Sequence, residues 1–567
     1  MIVDQIKKDL TEILEKLKIS SEKLSLEHPL RQAQGDYSTN IAMRKPRRKR
    51  SRSGIDFPLD LANKIVNSWR SSGLPKYVAK IQVAKPGFIN IWLKNETLIS
   101  EIEKVLKEKK KYGSSNLGKG KTVVIDYSSP NIARPFGIGH LRSTVIGQAI
   151  YNLYQFLGYK TVGVNHLGDW GTQFGKLIVA IKKWHQGEVR GLTIDKLEKL
   201  YVKFHQEAAK KPELEDEARA WFKKLEDKDS EARKIWRACV EISLKEFKRI
   251  YELLGVEIDY SLGESFYEDK VMVVIEKAKR KQVAVESEGA LVIKFPELNF
   301  PPAMLLKSDG ATTYEARDLA CIAYRKKRWQ PALFIYEVGI DQKLHFQQTF
   351  AAAVKLGLGQ LEQFVHVAHG LIQFEGGKMS TRAGKIVHLE EVLNEAVKRA
   401  QKLSEKRQKK IAQVVGVGAV KYFDLMHHPS TDIVFDWEKM FVLEGNSASY
   451  LQYTYARCRS VLKKSPIAIP DRIHIHDPVS DEEVALLRTI YKFPEVVSEA
   501  GESYAPNLVC NFLFDLAQKY NLFYNRQPIL KAGNPELVEG RLALTSAVSQ
   551  IIKNGLYLLG IEAPERM

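Results

Sequence analysis

Residues 121–150, KTVVIDYSSPNIARPFGIGHLRSTVIGQAI, constrain the fold more than any other stretch. Lys121–Tyr127 reads as a short buried strand around Val123, Val124 and Ile125. Ser128 to Gly139 is a loop rich in Ser, Pro and Gly. From His140 onward Leu141, Val145, Ile146, Ala149, Ile150 and Leu153 recur at helical spacing. In an α/β sheet, strand, glycine loop and helix N-terminus together present backbone N–H groups to a phosphate. Gly137 and Gly139 let a ring or a phosphate approach the backbone closely, and His140 can donate to a phosphate oxygen. Taken alone, a histidine there is better explained as a helix cap.

The surrounding chain extends this unit. Strand and helix patterns alternate from 121 to about 390, with candidate strands at Val123–Tyr127, Thr161–Asn165, Ala290–Phe295, Leu333–Val338 and Phe364–Ala368. Ser287–Ala316 reads as a hairpin returning the chain to the sheet. The pattern predicts an α/β doubly wound, Rossmann-type domain over residues 119–394. A highly charged helical insertion falls near 190–250. Residues 1–118 read as a separate small α/β domain, with an alternating strand GFINIWL at 87–93. After about 395 amphipathic helices dominate, so 395–567 is expected to be an all-α domain.

A chain of 567 residues needs several such domains. Lys and Arg exceed Asp and Glu by 87 − 68 = 19, which favours a polyanionic partner. Seven of the nine residues 44–52 are basic, read equally well as a solvated loop or an RNA contact. Four widely spaced cysteines suggest neither a disulfide framework nor a zinc site. No apolar run reaches membrane-spanning length and the N-terminus is charged. A reduced, cytoplasmic protein with no membrane partner is expected.

A second glycine-bracketed segment, Gly376-Gly377-Lys378-Met379-Ser380-Thr381-Arg382-Ala383-Gly384-Lys385, has a cationic centre. It suits a loop closing over phosphates, where Lys378 and Arg382 neutralise charge on a leaving pyrophosphate. Tyr314 and Asp318 lie four apart on an expected helix and share a face. A hydroxyl and a carboxylate so arranged could clamp a guanidinium. A packed Tyr beside a surface Asp explains the same spacing equally well.

Together the two segments resemble the HIGH and KMSKS signatures of class I aminoacyl-tRNA synthetases. Here they read Gly137-Ile138-Gly139-His140 and Lys378-Met379-Ser380-Thr381-Arg382. The wider context resembles arginyl-tRNA synthetases: DYSSPNIARPFGIGHLRSTVIG, TTYEARDLA (312–320), the HFQQ of 341–350, YLQYTYARCRS (450–460) and LLGIEAPERM (558–567). The resemblance implies ligation of L-arginine to tRNA(Arg) through arginyl-adenylate, with ATP as substrate and Mg²⁺ expected but held by no evident protein site. It implies catalytic roles for His140, Lys378 and Arg382. Gly137, Gly139, His140, His369, Gly370, Leu371, Lys378, Met379 and Ser380 match the ATP side. Asp126, Ser129, Asn131, Glu264, Tyr314, Asp318 and Gln342 match the arginine side.

The resemblance also makes 1–118 a tRNA-elbow-binding domain, in which Phe88 and Asn90 are candidates to stack on and hydrogen-bond a D-loop base; a core Phe explains the strand equally well. It makes 395–567 an anticodon-binding domain, in which Tyr450 and Tyr453 are candidates to meet RNA. A monomer is expected. One departure stands out. Gly137 occupies the first histidine of HIGH, and Lys378 and Arg382 are expected to compensate. A decayed, non-catalytic tRNA-binding relative is the rival from another class.

Overall fold

The computed structural model describes residues 1–29, 31–43, 57–374, 377–378, 387–402, 409–442, 445–465, 467 and 478–567. The basic run at 44–52 lies outside them. So do Gly376, Met379, Ser380, Thr381, Arg382, Ala383, Gly384 and Lys385, and for Lys378 only the backbone is described.

The N-terminal unit opens with α1 (Ile2–Lys16), which buries Ile6, Leu10, Ile13 and Leu14 along one stripe. Then come β1 (Tyr37–Thr39), α2 (Phe57–Ser71), β2 (Val78–Ala84) and β3 (Phe88–Leu93). The strands form an antiparallel sheet in the order β1-β3-β2. Ile89, Ile91 and Leu93 point into the core, which leaves Phe88, Asn90 and Trp92 on the other face. α3 (Asn95–Glu108) follows.

The central domain contains β4 (Thr122–Asp126), α4 (Gly139–Phe156), β5 (Lys160–Asn165) and α5 (Thr172–Trp184). The charged insertion is helical: α6 (Ile194–Ala208), α7 (Glu213–Glu226) and α8 (Ser230–Leu254). The chain re-enters the sheet at β6 (Tyr260–Ser261) and continues through α9 (Glu268–Arg280), β7 (Ala284–Ser287), β8 (Ala290–Phe295) and β9 (Phe300–Leu306). α10 (Tyr314–Trp329), β10 (Leu333–Gly339), α11 (Lys343–Lys355) and β11 (Phe364–His369) complete the fold. The five-stranded sheet has the order β11-β10-β4-β5-β6, and every pair in it is parallel. This is the doubly wound order, whose switch point lies between β4 and β10. Its strands are apolar on both faces. Ile125 and Ile335 pack into one core, Phe334 and Tyr336 into a second core built by α9, α10 and α11.

One expectation needs correction. Ala290–Phe295 is a strand, but not of the parallel sheet. It is the middle of a separate antiparallel sheet, β7-β8-β9. The parallel sheet takes the two-residue β6 instead, which carries no hydrophobic pattern of its own.

Beyond β11, β12 (Ile372–Phe374) pairs with β13 (Gly377–Lys378), followed by α12 (Leu389–Lys402) and α13 (Lys409–Leu425). β14 (Ile433–Val434) returns to pair with β12. α14 (Trp437–Met440), α15 (Ala448–Lys463), α16 (Asp481–Ile490), α17 (Phe493–Glu502), α18 (Asn507–Arg526) and α19 (Pro535–Leu558) form the helical C-terminal part. The N-terminal unit docks on it: Tyr37 donates to Glu495, and the Asn554 amide donates to Lys109 and Tyr112 carbonyls at 3.0 Å each. Among the described residues no helix is long and apolar enough to cross a membrane.

Candidate active site

The loop after β4 is strained and tightly held. Ser128, Ser129 and Ala133 have φ of +75°, +46° and +62°, conformations that L-residues adopt at a cost of about 1 kcal/mol or more each. Three side chains from three elements offset this. The N–H groups of Ser128, Ser129 and Ala133 donate to Ser143 on α4 (2.9 Å), Asn165 on β5 (3.0 Å) and Ser243 on α8 (2.9 Å). The insertion helix therefore helps to shape the loop.

Asp126 closes β4 and is 4% exposed. It binds the wholly buried Arg325 of α10 and accepts from Ser129 Oγ at 3.2 Å. Asn131 is exposed at the loop's turn and bridges to Gly168.

At the far end of the loop Gly139 opens α4, with open space where a Cβ would stand. The α4 N-terminus thus meets the switch point uncovered, a favourable place for phosphate. His140 follows, with its Nδ1 buried and unpartnered. Burial pushes its imidazole below the ordinary value, so it is neutral. Gly137 is not a vacancy: Ile138 N–H donates to Val387 O at 3.1 Å and Leu389 N–H to Phe136 O at 2.9 Å, bridging Gly137 to His388. The chain that leaves the second signature segment is thereby stitched to the first. The side entering that segment is fixed by the β12–β13 pairing of Gln373 with Lys378.

His369 ends β11 and bonds Glu337 through Nδ1 at 2.9 Å. Burial opposes its charge, but the buried Glu337 carboxylate outweighs this and holds the imidazole above its ordinary value. Its Nε2 lies 3.6 Å from where a Cβ on Gly339 would sit, at the switch point. Gly370 N–H is taken by Pro429 O and Leu371 N–H by Asp432, so these residues fix the strand exit.

The opposite wall is α10. Thr313 caps it, and Tyr314 and Asp318 lie one turn apart at its start. Tyr314 is 65% exposed. Asp318 accepts from His345 Nε2 at 2.6 Å, and His345 Nδ1 meets Glu315 at 3.2 Å. Burial works against a charged His345, but the two carboxylates override it and lift the imidazole to about 10. Burial likewise pushes Asp318 up, but His345 brings it below the ordinary carboxylate value. Glu264, from the segment after β6, faces the same corner and pairs with Arg317 at 3.4 Å. Gln342 is exposed where β10 gives way to α11. The structure thus brings Glu264, Tyr314 and Asp318 to one acidic corner. His345, Arg317 and Arg325 are the residues that sequence reasoning missed. Arg325 opens the basic run Arg325-Lys326-Lys327-Arg328 near the end of α10, so the sequence did not set it apart.

Asp126, His166 and Cys321 place metal-type donor atoms within 4.8 Å of one another. Asp126 is committed to Arg325, and burial pushes the Cys321 thiol up to about 12. Mg²⁺ needs oxygen ligands, so this set does not fit it.

The residues expected to meet RNA lie in two distant places. Phe88 is half-buried. Asn90 is 7% exposed, and its carbonyl accepts from Ser38 at 2.7 Å. On α15 the two tyrosines part company. Tyr450 packs edge-on against Phe514, whereas Tyr453 is 43% exposed and lies over Arg457 at 4.7 Å. Arg457 also covers Tyr524 at 4.8 Å. This layered face lines a groove of about 1430 Å³ that also contains Lys463, Lys531 and Arg566.

Residues 101–437 match the family described as tRNA synthetases class I (R), catalytic domain. Residues 451–567 match the DALR anticodon binding domain, and residues 4–93 the arginyl tRNA synthetase N terminal domain. The arginine–tRNA ligase of Clostridioides difficile is 44% identical over 90% of this chain and 91% of its own. That of an Exiguobacterium species is 43% identical over 98% and 97%. The crystal structure of the Plasmodium falciparum arginyl-tRNA synthetase superposes with a TM-score of 0.84 at 26% identity, covering 100% of this chain and 99% of that one. Matched along nearly its whole length, the chain belongs to the class I arginyl-tRNA synthetase family, the arginine–tRNA ligases.

Proposed function

We propose that the crevice at the β4–β10 switch point is where this enzyme activates L-arginine with ATP and passes it to tRNA. The observation that carries the reading is the convergence of two unlike features on one crevice: the open α4 N-terminus and the acidic Tyr314–Asp318–Glu264 corner. The first suits the nucleotide phosphates, the second a guanidinium. In the first step the arginine carboxylate oxygen attacks the α-phosphorus of ATP, and pyrophosphate leaves. In the second a ribose hydroxyl of the tRNA terminal adenosine attacks the adenylate carbonyl, its proton is released, and AMP leaves. No side chain acts as a covalent nucleophile, so positioning and charge compensation carry the reaction. Neutral His140 donates to a phosphate oxygen. His369, held above its ordinary value by Glu337, faces the same space, and Lys378 and Arg382 serve the leaving pyrophosphate. Asp126 acts through Ser129 and Arg325 by holding the loop that presents Asn131 to the substrate. Gln342 serves the ammonium or carboxylate end.

The domain limits 1–118, 119–394 and 395–567 fit this division of labour, with Phe88 and Tyr453 on RNA-facing surfaces, and Tyr450 and the buried Asn90 supporting them. Each chain carries a whole crevice, which supports a monomer. A tRNA-charging enzyme works where tRNA is translated, which supports a cytoplasmic location. Transfer of labelled arginine, and not lysine, to tRNA with release of AMP tests the reading. Tight tRNA binding without transfer would favour the decayed relative.

Two dependences follow. Burial pushes the Glu264 carboxyl up to about 7, with Arg317 pulling it down and Asp318 and Asp169 raising it further. A carboxyl raised in this way is ionised only above that value, and only the ionised form holds a guanidinium. The KM for arginine should therefore rise as pH falls through 7, by about tenfold one unit below it. Glu264→Gln should flatten the profile. Separately, Tyr453→Ala should weaken tRNA binding about tenfold or more, the loss of one stacked base, while Tyr450→Phe should leave it unchanged. Direct tRNA titration checks both.

A further inference from the structure

The acidic corner is already filled by cations of the chain itself. Asp318 has His345, and Glu264 has Arg317. The second pairing is peculiar. Arg317 Nε stands 3.4 Å from Glu264 Oε2, and each side chain is 15% exposed. Both atoms are buried, yet neither makes a hydrogen bond. The guanidinium carbon stands over Tyr314, 4.7 Å from the ring centroid, and Nη1 donates to Thr312 Oγ1 at 3.5 Å. So one internal guanidinium covers the aromatic and faces the carboxylate that the substrate guanidinium needs, in a loose geometry.

We propose that Arg317 is an internal stand-in for the substrate guanidinium, holding Glu264 and Tyr314 in the empty enzyme and giving way when arginine binds. The inference rests on the crevice reading above. Its physical logic is like-for-like exchange. A buried carboxylate left without a cation is strongly destabilising, so the empty pocket keeps one. The incoming fork of donors can bond Glu264 and Asp318 together, which the tethered Arg317 does not do. Arg317 has somewhere to go. Glu226, at the end of α7, lies close enough for their charges to interact.

A stand-in competes with substrate, and a supporting residue does not, so the sign of one effect decides. In tRNA charging at a pH well above the Glu264 value, where that carboxylate is ionised with or without Arg317, Arg317→Ala and Arg317→Gln should each lower the KM for arginine, roughly three- to tenfold, because the open pocket is no longer a minor population. A raised or unchanged KM in both variants would overturn the proposal and make Arg317 a support for Glu264. Should either variant melt early, a structure of the wild-type enzyme with arginine bound reads the same point. Arg317 withdrawn from Glu264 supports the exchange, and Arg317 still on it refutes it. Failure of the crevice reading itself looks different: Asp318→Asn would then leave arginine use intact, whatever Arg317 does.

Discussion

Replacing Asp318 with asparagine should lower kcat/KM for arginine in tRNA charging by about 10²–10³, or about 3–4 kcal/mol. Two losses combine. The substrate guanidinium loses a charge-assisted acceptor. His345, held charged by its 2.6 Å contact with Asp318, is left with Glu315 alone and repels the incoming cation. The KM for ATP should move little, because the site proposed for the nucleotide, the α4 N-terminus, lies across the crevice. A change in arginine kcat/KM of under about threefold would remove Asp318 from the pocket.

The second large effect is on stability. Arg325 is fully buried, and its charge is balanced by Asp126. Its Nε and Nη1 have no hydrogen bond, so Asp126 is the main compensation. Asp126→Ala leaves a buried guanidinium stranded and should destabilise the central domain by about 3–5 kcal/mol. Adding Arg325→Met to that variant should recover most of the loss, since an apolar pair of similar volume removes the unbalanced charge. Chemical denaturation of the wild type and of both variants checks this. A loss below about 1 kcal/mol in Asp126→Ala would mean the pair holds nothing.

The layout of the sheet was legible because its strands are short, apolar and separated by helices. The run Ala290–Phe295 misled for the same reason. Ala-Leu-Val-Ile reads alike in a parallel and in an antiparallel sheet, and periodicity does not tell them apart. Tyr260–Ser261 is too short to leave a pattern. Within the site, Tyr314 and Asp318 were visible through their spacing, and the loop through its glycines. Arg317, His345 and Arg325 were not, since a cation on a charged helix looks solvated until the fold turns it inward. Tyr450 and Tyr453 were indistinguishable in sequence, and only packing against Phe514 separates the partly buried ring from the open one.

The central claim is that Tyr314, Asp318 and Glu264 recognise a guanidinium by its charge. Citrulline has the same shape with a neutral ureido group, so it isolates that charge. The decisive measurement is pyrophosphate exchange, in the presence of tRNA, for arginine against citrulline in wild type and in Asp318→Asn. Wild type should favour arginine by at least about 10³, as a site built around a buried charge contact does. In the variant that preference should shrink at least about tenfold, with citrulline exchange itself rising, because an amide suits the ureido group. Equal loss for both substrates would contradict the account.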